Sequence, residues 1–262
     1  MRHREIRKVV ILGAGNLAWH FGHRLSGAGI QVAQIFSRTP KLGESLATEL
    51  HAGYTNRLDL LEEDADLYLL AITDDAIPSL IRQARFGKRF VVHAAGSVSM
   101  DVFAGKVKNY GVLYPLQTLT TGKHLDFSNI PLFIEANNAG NLEKLNLLAC
   151  KLSNRVYVVD SEKRTYLHLA AVIASNFTNH MFALTEKLLQ EKNLSFDLLK
   201  PLIEETIAKA LFLSPLQAQT GPAIRGNTRV IEKHLALLEK HPEIKELYRV
   251  ITESIMGMKK NQ

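Results

Sequence analysis

The sequence has one cysteine, Cys150, and one tryptophan, Trp19. A lone cysteine cannot close an internal disulfide, so no covalent staple defines this fold and a reducing cytoplasm is the expected setting. Uninterrupted apolar runs never approach the roughly 20 residues that span a bilayer, which argues against a membrane helix. The opening Met-Arg-His-Arg-Glu-Ile-Arg-Lys is charged, and the short apolar run after it leads into glycines, so it does not read as a signal peptide. Lysine and arginine form no cluster interleaved with aromatics, so nucleic acid is not an expected partner. Histidines are plentiful but make no metal-like constellation. His20 and His23 share a helix face without a third ligand, and no metal is expected.

What is present is ordinary for a globular chain. Hydrophobic residues make up 46% and charged residues 22%, which excludes a disordered chain. At 262 residues there is room for two small domains. The balance of 32 basic to 26 acidic residues leaves a formal charge of +6. A solvated surface with basic ends (Arg2 to Lys8, and Lys259 with Lys260) accounts for most of it. An anionic small molecule is the other reading.

The first part of the chain alternates short apolar runs with helical patterns. Strands are expected at 8–12, 31–36, 67–72, 90–93, 112–114, 132–135 and 156–159, with helices at 16–25, 40–50, 76–84 and 141–151. Fully apolar strands alternating with helices predict a mostly parallel sheet covered on both faces. After Asp160 the strand signal stops. Ser161 is placed to cap a long helix whose apolar periodicity runs from Tyr166 to about Leu189, and helices at 196–213, 228–238 and 242–258 follow. The expected organisation is an α/β domain over 1–160 and an all-helical domain over 161–262.

Gly13-Ala14-Gly15-Asn16-Leu17-Ala18 follows the first strand and opens the first helix, the context in which a GxGxxA pattern acquires meaning. Gly13 permits the turn, Gly15 lets backbone approach a pyrophosphate, and Ala18 lets helix and sheet pack closely. The helix N-terminus then offers free N–H groups to phosphate. At the end of the second strand stands Ser37-Arg38-Thr39, with no acidic residue to accept from a ribose 2′-hydroxyl. Arg38 can instead pair with a 2′-phosphate, with Ser37 and Thr39 donating, which favours NADP(H). The alternative for Arg38 is a plain surface arginine. Two further loops are placed to border the cofactor: Thr73-Asp74-Asp75, where one aspartate caps the next helix, and His93-Ala94-Ala95-Gly96-Ser97, whose Ala95 and Gly96 suit a nicotinamide lying over the backbone.

GAGNLA, TDDAI and HAAGS together resemble the NADP-binding half of the pyrroline-5-carboxylate reductase and 6-phosphogluconate dehydrogenase-like superfamily. Adding Tyr114–Thr118 (YPLQT), Ala170–Phe177 (AAVIASNF) and Thr220–Asn227 (TGPAIRGN), nearly the whole chain resembles a family assigned as NADP oxidoreductases. That resemblance implies a Rossmann-like doubly wound, mostly parallel sheet, followed by an all-α domain like the C-terminal domain of 6-phosphogluconate dehydrogenase, of undefined function. It also implies a homodimer formed through the helical domains. In the hydroxyacid dehydrogenase relatives a catalytic lysine lies one turn before an asparagine. Asn176 matches the asparagine, but Val172 stands where the lysine would be, so that chemistry does not carry over.

Hydride transfer also needs a group that moves a proton. His93, Ser97 and Asn176 are the candidate catalytic residues, and Gln117, His168 and Arg225 the candidate substrate contacts. For each histidine the alternative is an imidazole with no catalytic task; for Arg225 it is a loop in which Asn227 caps the next helix. The long helix from Tyr166 carries more apolar positions than one face of a monomer uses, so it is buried either in its own domain or in a dimer. The expected activity is NADP(H)-dependent oxidoreduction of a small anionic metabolite; the alternative is a non-catalytic NADP(H)-binding redox sensor or scaffold.

Overall fold

The structure is a computed structural model that describes residues 5–123 and 125–260. Arg2 to Arg4 of the basic N-terminal run lie outside the described residues. The chain divides into two compact units between Asn176 and Phe177.

The first unit runs β1 (Lys8–Leu12), α1 (Asn16–Gly27), β2 (Gln31–Phe36), α2 (Pro40–Glu49), β3 (Gly53–Thr55), β4 (Leu67–Leu70), α3 (Ile77–Gln83), β5 (Phe90–His93), β6 (Asn109–Pro115), β7 (Leu132–Ala136), α4 (Ala139–Leu152), β8 (Val156–Val158) and α5 (Ser161–Ala171). The strands form one sheet in the order β3-β2-β1-β4-β5-β6-β7-β8. Neighbours are parallel except β6 and β7, which pair antiparallel with Pro115 opposite Leu132. This is a Rossmann-like, mostly parallel sheet. The three-residue β3 was not expected from the pattern, because so short a strand carries no periodicity.

The apolar strands explain the two-faced burial. Alternate side chains of a strand point to opposite faces. Val9, Ile11, Leu69 and Val92 enter one core, and Val10, Leu12, Tyr68, Leu70 and Val91 enter the other. The strand order reverses at β1, between β2 and β4. A crevice outside the carboxyl ends of the strands at such a point is where an α/β sheet takes its ligand.

Two helix starts differ from expectation. The helix from Ser161 is capped by Asp160, whose carboxylate accepts from the Lys163 amide. Ser161 is free for another task. Its hydroxyl donates to Glu135 (2.8 Å) and accepts from the Met100 amide (2.9 Å). Neither Asp74 nor Asp75 caps a helix; both lie in a 3-10 turn, Asp74–Ala76, that leads into α3.

Arg164, one turn into α5, is fully buried. It pairs with Glu135 of β7 at 2.6 Å, bonds the Ser161 hydroxyl at 3.1 Å, and donates to the Val98 carbonyl. A buried charge is tolerated only when it is paired and hydrogen-bonded. This network therefore ties the loop after β5 to β7 and to the start of α5. The helix that begins at Ser161 passes into a π-helical segment, Val172–Phe177.

The second unit consists of α6 (Thr178–Gln190), α7 (Lys200–Leu213), α8 (Pro215–Ala218), α9 (Pro222–Arg225), α10 (Thr228–Leu237) and α11 (Pro242–Lys260). The helix expected over 196–213 begins as a 3-10 turn, Phe196–Leu199, and becomes α-helical at Lys200 with Pro201 in its first turn. TGPAIRGN folds as the short α9 followed by Gly226 in the left-handed conformation and Asn227 capping α10. Among the described residues no helix is long and apolar enough to cross a membrane.

Breaking a buried ion pair from one side leaves an uncompensated charge. Arg164→Ala is expected to lower unfolding free energy by about 3–5 kcal/mol in urea denaturation. Arg164→Met combined with Glu135→Leu should recover much of that loss. A single variant within about 1 kcal/mol of wild type would show that the pair does not hold this region together.

Candidate functional site

Of the expected nucleotide contacts, Gly13–Leu17, Ser37, Arg38, Thr39 and Thr73 line one cavity of about 500 Å³, while Asp74, Ala95 and Gly96 do not. Gly13–Leu17 form one wall, Ser37-Arg38-Thr39 a second, and Ala71–Thr73 with α3 a third. Gly13 has φ +132°, and a Cβ there would fall 2.0 Å from the Ala71 carbonyl oxygen. Neighbouring backbone alone thus requires glycine. Gly15 is different: nothing lies within 4 Å of the position its Cβ would take. Its bare backbone opens onto the cavity as the N-cap of α1. That helix end has no capping side chain and no acidic residue in its first turn, so its amides and dipole are free for an anion. Ala18 is fully buried against the sheet.

Asn16 has a second role. Its amide donates to the Leu119 carbonyl (2.9 Å) and its oxygen accepts from the Thr121 hydroxyl (2.6 Å). Together with a 3.0 Å contact from His20 to the Thr120 carbonyl, it ties the loop after β6 to the first turns of α1. His23 instead meets Glu49 at 3.2 Å. Among the described residues no group of three or more His, Cys, Asp or Glu is arranged to hold a metal ion.

Ser37 and Thr39 form a small turn, with the Thr39 amide 3.2 Å from the Ser37 hydroxyl. Arg38 projects from it, exposed and without a partner among the described residues. Among the described residues it is the only charged side chain lining the cavity. A dinucleotide fits these walls: a glycine loop and open helix end for the pyrophosphate, and Arg38 with no carboxylate beside it for the ribose end.

Near the carboxyl ends of β4, β5 and β6, outside the cavity lining, stands a cluster of polar side chains. Asp74, next to the cavity-lining Thr73, accepts from the Ser97 hydroxyl. Tyr114 of β6 meets His168 of α5, with Oη 3.1 Å from Nδ1. Burial, and then the nearby Asp74 carboxylate, push the Tyr114 phenol above its ordinary range, while Arg164 acts in the opposite sense. Gly96 packs beneath this pair: a Cβ there would lie 2.6 Å from His168 Nδ1 and 2.8 Å from Tyr114 Cζ. On the side where a Cβ of residue 96 would project, the space is filled by Tyr114 and His168.

His93 does not reach this cluster's solvent side. It is 0% exposed and stacks on Phe103 at 5.6 Å between ring centroids. The Ala95 amide donates to its Nδ1 at 3.2 Å. Burial first, and then the charge of Arg164, push its pKa down to about 3. The imidazole stays neutral and cannot exchange a proton near pH 7, which overturns the expectation drawn from its place at a strand end. Ser97 is exposed and Asp74-bound. Gln117 and Asn176 are both exposed, so neither is a buried polar group in need of a partner; Gln117 accepts from the Thr118 amide at 2.9 Å. Arg225 ends α9 in the second unit, exposed and without a partner among the described residues.

Sequence reasoning did not assign Tyr114, Glu135 or Arg164 to the site. The signal for Glu135 was a single charge inside an apolar strand; Arg164 lies in the charged run Glu162-Lys163-Arg164, which reads as solvated surface, and the signal for Tyr114 was only its place in YPLQT.

Residues 8–96 match the family described as NADP oxidoreductase, coenzyme F420-dependent, and residues 130–255 match a domain of unknown function, DUF2520. A Bacteroides fragilis protein assigned as an NADP oxidoreductase is 43% identical, with 97% of this chain and 98% of that one covered and a TM-score of 0.91. The chain belongs to this oxidoreductase family. A Thermotoga maritima protein is 22% identical over 96% of this chain and 99% of its own, with a TM-score of 0.80. A pyrroline-5-carboxylate reductase of Streptococcus pyogenes is 14% identical over 95% of this chain and 98% of its own, with a TM-score of 0.63. At these identities the likeness is one of fold, and it is the fold implied by the motifs. No curated protein compared with the chain matches it. Family and geometry together make this an oxidoreductase of the NAD(P)-dependent kind.

The neutral state of His93 has a consequence for stability. Unfolding frees it to titrate near pH 6.5, so between about pH 6.5 and 3 the unfolded chain binds one more proton than the folded chain. Stability should fall as pH drops through that window, by up to about 1.4 kcal/mol per pH unit from this residue. His93→Asn keeps an acceptor for the Ala95 amide and should flatten the slope in urea denaturation at pH 7 and pH 5. An unchanged slope would show that His93 is protonated in the folded state.

Proposed function

We propose that the protein is an NADP(H)-dependent oxidoreductase that transfers hydride between the cofactor and a small metabolite in the cytoplasm. The observation that carries the NADP(H) preference is the cavity lining: among the described residues Arg38 is its only charge, and the lining holds no carboxylate. A carboxylate at this place accepts from the ribose 2′-hydroxyl of NAD, whereas arginine neutralises a 2′-phosphate. Gly13–Leu17 and the amides of α1 would hold the pyrophosphate, with Ser37, Arg38 and Thr39 at the 2′-phosphate and Thr73 alongside. When bound, NADPH supplies the hydride. The anionic character of the substrate rests on Arg225, whose guanidinium is unpaired among the described residues. A non-catalytic NADP(H) sensor is the second reading, favoured by Val172 at the position of the relatives' lysine. NADPH oxidation across keto acids, imino acids and a deazaflavin separates the two.

A charge-assisted hydrogen bond contributes about 1.5–3 kcal/mol, so Arg38→Ala should weaken NADPH binding roughly tenfold or more and leave NADH binding nearly unchanged. Fluorescence titration of both nucleotides checks this. Tighter binding of NADH by the wild type, or no effect of Arg38→Ala, would defeat the preference.

We also propose that the protein is a homodimer through its helical residues. In the single chain α7 buries no side chain, and its Leu211 and Phe212 are 84% and 87% exposed. Tyr166, Leu169, Ile173 and Phe177 of the long helix are exposed as well. Apolar surface on this scale, in each unit taken by itself, marks surface that a partner covers. Light scattering on the eluting protein should give twice the 29.3 kDa chain mass. Phe212→Glu should shift it toward the single-chain mass. A wild-type species at the single-chain mass would refute the dimer.

A further inference from the structure

Hydride transfer to a C=O or C=N bond leaves a heteroatom that must gain a proton. Of the groups first considered for that task, His93 is sealed in the core and the Ser97 hydroxyl is engaged by Asp74. One other proton-carrying arrangement stands at this edge of the sheet. Tyr114 comes from the end of β6 and His168 from the last turn of α5. Their rings meet edge-on, with centroids 6.0 Å apart and planes at 75°. Their polar atoms are within hydrogen-bond reach, and the contact exists only because residue 96 has no side chain.

The surroundings grade the pair. Tyr114 is 8% exposed, and His168 is partly open to solvent. The charged groups acting on Tyr114 are Asp74, which disfavours a phenolate, and Arg164, which favours one but is itself paired with Glu135. The phenol is therefore a neutral donor at pH 7. The Asp74 carboxylate acts on it, and Asp74 follows Thr73, which lines the cavity; Tyr114 thus stands near the carboxyl ends of the strands, on the side where an α/β sheet takes its ligand.

We propose that Tyr114 and His168 are the proton-delivery pair of this site, Tyr114 donating to the substrate heteroatom and His168 recharging Tyr114. This rests on the NADP(H) reading above, in which the cofactor supplies the hydride. The Tyr114 Oη–H bond breaks as an O–H or N–H bond forms on the substrate. The Nδ1–H bond of protonated His168 breaks as Oη–H re-forms, and water returns a proton to the imidazole at its open side. One proton enters from solvent per turnover, and nothing besides NADPH is oxidised. In the reverse direction the same bonds break and form in the opposite order.

The test does not need the substrate. NADP⁺ carries a positive ring charge that NADPH lacks, and a nearby cation weakens protonation of an imidazole. Full-length protein with ¹⁵N-labelled histidine is titrated by NMR with saturating NADP⁺ and, separately, with saturating NADPH. The His168 signal is identified by its loss in His168→Gln. The expected result is a His168 proton affinity at least about threefold weaker with NADP⁺ than with NADPH. Tyr114→Phe should also alter the His168 titration without nucleotide while keeping NADPH affinity within about twofold of wild type. If Tyr114→Phe fails to fold, the ¹³Cζ titration of Tyr114 in wild type and in His168→Gln replaces it, and the two must differ. Nucleotides that bind while His168 titrates identically with both would overturn the pair and leave the cofactor reading intact. Failure of either nucleotide to bind would overturn both.

Discussion

The region around the site depends on one buried charge. Arg164 brings a guanidinium into the interior, where an unpaired cation would cost several kcal/mol. It is stabilised by Glu135, Ser161 and the Val98 carbonyl, and those partners come from β7, the start of α5 and the loop after β5. That loop carries Gly96 and Ser97. The helix carries His168. Moving either segment would strip a partner from Arg164, so the pair fixes the relative place of the two segments whose side chains face each other over Gly96. The same charge disfavours protonation of His93 beneath the loop. One buried guanidinium thus holds the segments of the polar cluster together and adds to the burial that keeps the nearby core histidine neutral.

The walls of the cavity were legible in the sequence because their determinants are local. A strand, a turn and a helix start lie within eleven residues at 8–18, and the roles of Gly13, Gly15 and Ala18 follow from backbone geometry that any sheet of this kind imposes. Ser37-Arg38-Thr39 was legible for the same reason: the end of β2 must lie beside the end of β1, and the two strands pair in parallel up to Phe36. Strand positions were clear where both faces are buried, since the side chains of β1 and β4 are apolar on both sides. They were obscure at β3, which is three residues long.

The polar cluster was not legible, because its members are far apart in the chain. Tyr114 and His168 are separated by 54 residues, and Ser97 and Asp74 by 23. Nothing in the local pattern around Tyr114 says that its hydroxyl has a partner. His93 misled for the opposite reason. A histidine at the end of a strand beside the expected nicotinamide looks placed for acid–base work, but strand position does not say which way the ring points. In β5 the alternation turns His93 toward Phe103 and the core. The helical caps show the same limit on a small scale: Asp160 and Ser161 both suit an N-cap, and only the presence of Glu135 and Met100 nearby decides that Ser161 is used elsewhere.

The glycines of the two loops separate fold from function. Gly13 and Gly96 are each demanded by protein atoms: the Ala71 carbonyl at one, the Tyr114 and His168 rings at the other. Their presence would be required whether or not a ligand binds. Gly15 is demanded by no protein atom, yet it sits at the open N-terminus of α1 on the wall of the cavity. A side chain there would cost the fold little and would intrude on the space in front of the helix amides. The excess of basic residues sorts in the same way. Lys8, Arg57, Arg89, Lys151, Lys163, Arg164, Lys200, Lys245 and Arg249 are paired with carboxylates and answer to the fold or its surface. Arg38 lines the cavity with no such partner among the described residues, and a cation left unpaired beside an open helix end and a bare glycine is an arrangement that a phosphorylated ligand completes.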